Sequence, residues 1–180
     1  MLARVASGAL AGLDAHEVVV EVDVVTGAPA FVVVGLPDAA VQEARERVRA
    51  AVVNSGFEFP SRRVTVNLAP ADVRKEGPAF DLPIALALLL ATGQVTAGGG
   101  DGLAVVGELG LDGALRPVAG ALALAQGLRR QGRRGLLLPA ANAAEAALVP
   151  GLAAYPAASL REAAARLAAG GGPAAPPADA

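Results

Sequence analysis

A chain of 180 residues is long enough for one domain with a sizeable core, or two very small ones. Hydrophobic residues make up 54% but aromatics only 3%, so the core must be built from Ala, Val and Leu, and stacking platforms for single-stranded nucleic acid are scarce. A net charge of −2 argues against a dominant nucleic-acid footprint, and the absence of cysteine excludes disulfides and thiolate metal sites.

Met1–Ala11 carries Arg4, Ser7 and Gly8 and has no apolar core of signal-peptide length. The longest apolar run, about ten residues, is too short to cross a membrane. These features predict a soluble, cytoplasmic chain. Residues 2–10 are a weak strand candidate. Residues 17–25 alternate and are rich in β-branched residues, as are 30–35, and Gly27-Ala28-Pro29 between them predicts a hairpin. Asp38 is placed to cap a helix over 39–54, with Val41, Ala44, Val48 and Val52 on one face and Glu43–Arg47 as an outward i,i+4 pair; Gly56 ends it. Residues 62–68 alternate as a strand.

A loop over 69–79 leads to an apolar helix over 80–92, and residues 93–101 predict a mobile, Gly-rich connection. Residues 103–108 and 114–118 flank Leu111-Asp112-Gly113 and predict a second hairpin. A helix over 119–130, a strand over 136–138 stopped by Pro139, a helix over 140–148, a strand over 152–155 and a helix over 159–168 capped by Ser159 follow. Residues 169–180 have a Gly/Pro/Ala linker composition with nothing left to pack. Domain 1–168 followed by linker 169–180 predicts a piece of something longer.

The single lysine, Lys75, and single histidine, His16, prune mechanism. A P-loop needs Lys followed by Ser or Thr, and Lys75 is followed by Glu76, so no P-loop is present. His16 has no His or Cys partner for a metal. Asp81, at the start of the apolar helix, suits the positive end of the helix dipole better than a metal. Two basic groups can be weighed as phosphate contacts: Arg129, Arg130, Arg133 and Arg134, which also suit a helix C-terminus, and Arg62, Arg63, Arg74 and Lys75 near the 69–79 loop, with Arg74 and Lys75 expected at the exposed entrance of the buried helix.

Two segments carry a resemblance: Asp72-Val73-Arg74-Lys75-Glu76-Gly77-Pro78-Ala79 and Gly107-Glu108-Leu109-Gly110-Leu111-Asp112-Gly113-Ala114-Leu115-Arg116-Pro117-Val118-Ala119-Gly120. They resemble the K-[DE]-G-P-S loop and the following hairpin of the Lon proteolytic domain; RadA-type proteins share that hairpin. With Gly35-Leu36-Pro37-Asp38, Glu43–Ala51 and Asn67-Leu68-Ala69-Pro70-Ala71-Asp72, the chain resembles more closely, over about residues 2–168, the N-terminal domain of the YifB/ComM family of magnesium-chelatase-like AAA+ ATPases.

That resemblance implies an α/β (α+β) fold, ribosomal-protein-S5-domain-2-like and Lon-like, with mixed sheets and packed helices. It also implies a following P-loop ATPase module that would bind ATP and Mg²⁺, whereas no cofactor or metal is expected in this chain itself. ComM-like members are hexameric helicases of DNA branch migration in natural transformation, so the implied partners are the chain's own AAA+ domain, neighbouring subunits of a homo-hexamer and DNA, with no membrane. Aligned with Lon, the nucleophile position is Ala79 and the activating lysine position is Leu122, so no catalytic residue remains. Two other functions stay open: a protein-interaction module that docks partners to the ATPase ring without touching DNA, and a subunit of a true magnesium chelatase, whose label is expected to come from the ATPase module.

Overall fold

The alternating runs become the strands of one sheet. A computed structural model describes residues 1–12, 14–98 and 103–179. Strands β1 (Leu2–Ala11) and β2 (Asp14–Val25) pair antiparallel along their whole length. Val18, Val20, Val22 and Val24 all point to one face and are buried, because successive side chains of a strand alternate sides.

Strand β3 (Ala30–Val34) does not form the expected hairpin with β2. Strand β4 (Arg63–Ala69) lies between them, antiparallel to β2 and parallel to β3. Burial explains the order. β4 hides Val64, Val66 and Leu68 completely and so takes an inner place, whereas β3 leaves Val32 and Val34 exposed and sits at the edge.

The helix expected over 39–54 is two pieces, α1 (Ala39–Gln42) and α2 (Ala44–Asn54), divided at Glu43. Asp38 caps the first, accepting from the Val41 amide at 2.8 Å. A single 3₁₀ turn, Pro78–Phe80, leads into α3 (Asp81–Ala91), which is buried along almost its whole length.

Strand β5 (Ala104–Val105) joins the large sheet between β1 and β8 (Gly135–Pro139) rather than a hairpin; its residues are fully buried, as an inner parallel strand requires. The second hairpin is shorter than expected, β6 (Glu108–Leu109) with β7 (Leu115–Arg116). Helices α4 (Ala121–Arg130), α5 (Ala140–Ala146) and α6 (Leu160–Ala168) and strand β9 (Ala153–Ala157) complete the chain. The sheet order is β3-β4-β2-β1-β5-β8-β9, and four of its six pairings are parallel.

One face of the sheet packs on α2, α3 and α6. The other packs on α4 over β1 and β2 and on α5 over β8 and β9. The architecture is thus a mixed α/β sheet between helices, as expected. Of the connection over 93–101, residues 99–101 lie outside the described residues; Gly98 donates to the Leu167 carbonyl at 2.8 Å.

The tail after α6 packs, contrary to its linker composition. Arg166 donates to the Gly171 and Pro173 carbonyls, and the Ala175 and Ala178 amides donate to the Ala154 and Ala144 carbonyls. No described helix is long and apolar enough to cross a membrane.

Candidate functional site

The loop between β4 and α3 is built by its backbone. The Lys75 amide donates to the Leu36 carbonyl, and the Asp38 amide donates to the Lys75 carbonyl, both at 3.0 Å. Asp38 uses its second carboxylate oxygen to accept from the Gly77 amide at 3.0 Å. Gly77 has φ of 84°, a conformation that a side chain would resist. Pro78 then fixes the turn that places Ala79, whose carbonyl accepts from the Gly107 amide at 2.9 Å.

Ala79 thereby lines a cleft of about 560 Å³. Its other walls include Ala9 and Leu10 of β1, Glu108, and Pro117–Ala119 ahead of α4. The Val118 backbone is held on both sides by the Asn142 amide, at 2.9 and 3.1 Å. Leu122 is half-buried and packs with Leu10 and Val118 against the α4–α5 core; it is not a wall of the cleft. The structure thus seats Ala79, which the resemblance to Lon aligns with a nucleophile, in a formed cleft, and Leu122, which it aligns with a base, in apolar packing. A methyl group and an isobutyl group can neither attack a carbonyl nor carry a proton.

Asp81 is fully buried and held by three bonds. Arg47 grips it through Nε at 2.7 Å and Nη2 at 3.1 Å, and the Leu109 amide donates at 3.1 Å. Burial pushes the Asp81 carboxyl up to about 6, with the Arg47 and Leu109 bonds pulling the other way. At neutral pH it is therefore ionised, and its bond raises the Arg47 guanidinium further. Arg47 also donates to the Ala40 carbonyl. The outward Glu43–Arg47 pair is thus replaced by an inward one that ties α2 to α3 and to the hairpin.

Lys75 is not at an exposed entrance. Its side chain is fully buried and Nζ donates to the Pro70 carbonyl. Burial lowers its pKa, opposed by Asp72. It touches a carbonyl, not a serine hydroxyl; Ser7 donates to the Val105 carbonyl and Ser159 caps α6. Burial takes Lys75 out of the basic surface, and Arg74 is paired with Glu76 at 3.3 Å. Arg62 and Arg63 lie at the opposite end of β4, about 20 Å away at 3.3 Å per residue, so the second basic group divides in two.

In the first group, Arg130 and Arg134 are exposed and Arg129 is half-buried. Arg133 bonds Glu17, and Gln131 donates to the Ala15 carbonyl at 2.6 Å, tying this turn to β2. His16 is exposed on that strand. Among the described residues no group of three or more His, Asp or Glu side chains is arranged to hold a metal.

Sequence reasoning missed Arg47 and Asn142. Asn142 offered a signal, as an uncharged polar side chain amid alanines on a short helix; Arg47 gave none, because Glu43 satisfied it locally.

The family described as subunit ChlI of Mg-chelatase matches residues 20–142. The chain is 48% identical over 148 residues to YifB of Salmonella typhimurium, covering 82% of this chain and 29% of that protein. The chain belongs to the YifB/ComM family of Mg-chelatase-like proteins. It is 45% identical over 148 residues to the competence protein ComM of Haemophilus influenzae, covering 82% of this chain and 29% of that protein. The chain therefore spans less than a third of these relatives. A Lon protease of Chloroflexus aurantiacus is 31% identical over 106 residues, 58% of this chain and 12% of that protein, which agrees with a Lon-like fold. The chelatase-family match thus falls within this chain itself, not only in an ATPase module outside it.

Proposed function

We propose that the chain is the non-catalytic N-terminal module of a hexameric AAA+ ATPase of the ComM type, a DNA branch-migration motor of natural transformation. It supports ring assembly and guides DNA. The observation that supports this reading is the cleft itself: it is formed, and Ala79 lines it where the resemblance to Lon places a nucleophile, with Leu122 where it places a base. A scaffold retained without its chemistry serves by contact. ATP and Mg²⁺ belong to the ATPase module, in the part of the relatives that this chain does not span, and the setting is the cytoplasm. Arg130, Arg134 and Arg129 form one candidate DNA contact, and Arg62 with Arg63 another.

The pairing of Arg133 with Glu17 and of Arg74 with Glu76 favours a second reading, a module that docks partner proteins without contacting DNA. The chelatase-subunit reading draws on the family description alone. The deciding experiment deletes residues 1–168 from the full-length protein and measures hexamer formation and branch migration. Loss of either with ATP hydrolysis retained supports the module; full motor activity without it refutes the proposal. Replacing Arg62, Arg63, Arg129, Arg130 and Arg134 by Gln then separates the readings: weaker DNA binding with a shallower salt dependence supports DNA guidance, and unchanged binding supports docking.

A further inference from the structure

β1 and β5 are parallel neighbours that pair only at Ala6 and Ala104. Beyond that point β1 continues to Ala11 with, among the described residues, β2 on one side alone. The chain after β5 swings away: the Val106 amide donates to the Leu137 carbonyl and the Gly107 amide to the Ala79 carbonyl. The two strands therefore splay at their C-terminal ends, and the cleft opens in the split. Ligands of open α/β sheets gather in such crevices.

Two features of this crevice specify an occupant. The first is the free edge of β1 over Ala9–Ala11, whose outward backbone groups can pair with another extended chain. The second is charge. Among the described residues the walls carry Asp38, Glu76 and Glu108 and no lysine or arginine; Asp38 accepts from the Val41 and Gly77 amides and Glu76 pairs with Arg74 just outside the lining, which leaves the cleft net negative. A phosphate backbone is repelled there and a cationic chain attracted. The rest of the lining, with Leu10, Pro78, Ala79, Pro117, Val118 and Leu124, is apolar and suits alternating side chains.

We infer that this cleft binds an extended polypeptide segment of alternating apolar and basic residues, which adds as a strand to the free edge of β1. Ala79 leaves the bound segment uncut. This goes beyond the proposed function and can fail while that function stands, because it needs neither DNA nor the ATPase.

The test uses the full chain with three fluorescent probes: an alternating Val/Arg peptide, the matching Val/Glu peptide and an oligothymidylate. Anisotropy reads affinity, and amide hydrogen exchange locates the contact. The Val/Arg peptide is expected to bind at least about tenfold more tightly than the Val/Glu peptide. It is expected to slow exchange at amides within Ala9–Ala11. Ala79→Trp fills the cleft and should abolish binding. Glu76→Lys, on an exposed side chain, should weaken it about fivefold with the unfolding midpoint unchanged, and it decides the matter if Ala79→Trp does not fold. Absence of Val/Arg binding, equal binding of Val/Glu, protection elsewhere, or displacement of the peptide from Ala9–Ala11 by oligothymidylate overturns the inference.

Discussion

Lys75, in the loop, and Asp81, at the start of α3, are both fully buried, and burial disfavours both charges, yet their partners differ. Asp81 has a bidentate arginine and a backbone amide. Lys75 has one carbonyl and, among the described residues, no carboxylate within ion-pair distance. Removing water from a charge is costly unless a partner replaces it. The compensated group fixes how α2, α3 and the hairpin meet around the cleft. The other is held in place by backbone bonds on both sides of it and contributes little through its charge.

The largest expected effect follows from breaking the compensated side. Asp81→Ala strands Arg47 and the Leu109 amide and should cost about 3–5 kcal/mol, read as a lowered urea midpoint. An effect below about 1 kcal/mol would show that the pair does not lock the fold.

The next is a pH dependence. With its pKa raised from 3.8 to about 6, Asp81 keeps in the folded state a proton that the unfolded chain has released. Its contribution is present below 3.8 and falls as pH rises to about 6, by about 2–3 kcal/mol. Asp81→Asn should flatten the difference between unfolding curves across that window.

Lys75 should show the opposite sign. Its lowered pKa means that the folded state gains stability as pH rises towards 10.5, and Lys75→Met should remove that gain. Near neutral pH the same variant should change stability by about 1 kcal/mol or less, since a lost bond to Pro70 is offset by a relieved buried cation. A cost equal to that of Asp81→Ala would erase the contrast. The smallest effect belongs to the exposed pair in the same loop: Glu76→Gln should alter stability by less than about 0.5 kcal/mol by chemical denaturation.

Much of this was legible where the physics is local. The alternation of 17–25 and 62–68 marks β2 and β4, the apolar run after Leu82 marks α3, and Asp38 and Ser159 are caps that the structure uses. Strand partners were not legible. Gly27-Ala28-Pro29 reads as a hairpin turn, but the burial demands of Val64, Val66 and Leu68 from far along the chain insert β4 there.

The candidate site divides in the same way. The Lys75-Glu76-Gly77-Pro78-Ala79 turn could be read from the residues, and the resemblance to Lon placed Ala79 and Leu122 at its reactive positions. A charged run could not reveal that Lys75 points inward, since only the loop's bonds to Leu36 and Asp38 carry it there. Arg47 was masked by Glu43, a plausible neighbour one turn away; its real partner is 34 residues distant.

We propose that the cleft keeps its shape without peptidase chemistry. Casein and peptide cleavage by the full-length protein, with and without ATP, tests this most directly. The account predicts no cleavage above background. Cleavage abolished by Lys75→Ala, or by replacing Ser7, Ser55, Ser61 or Ser159 with Ala, would contradict it.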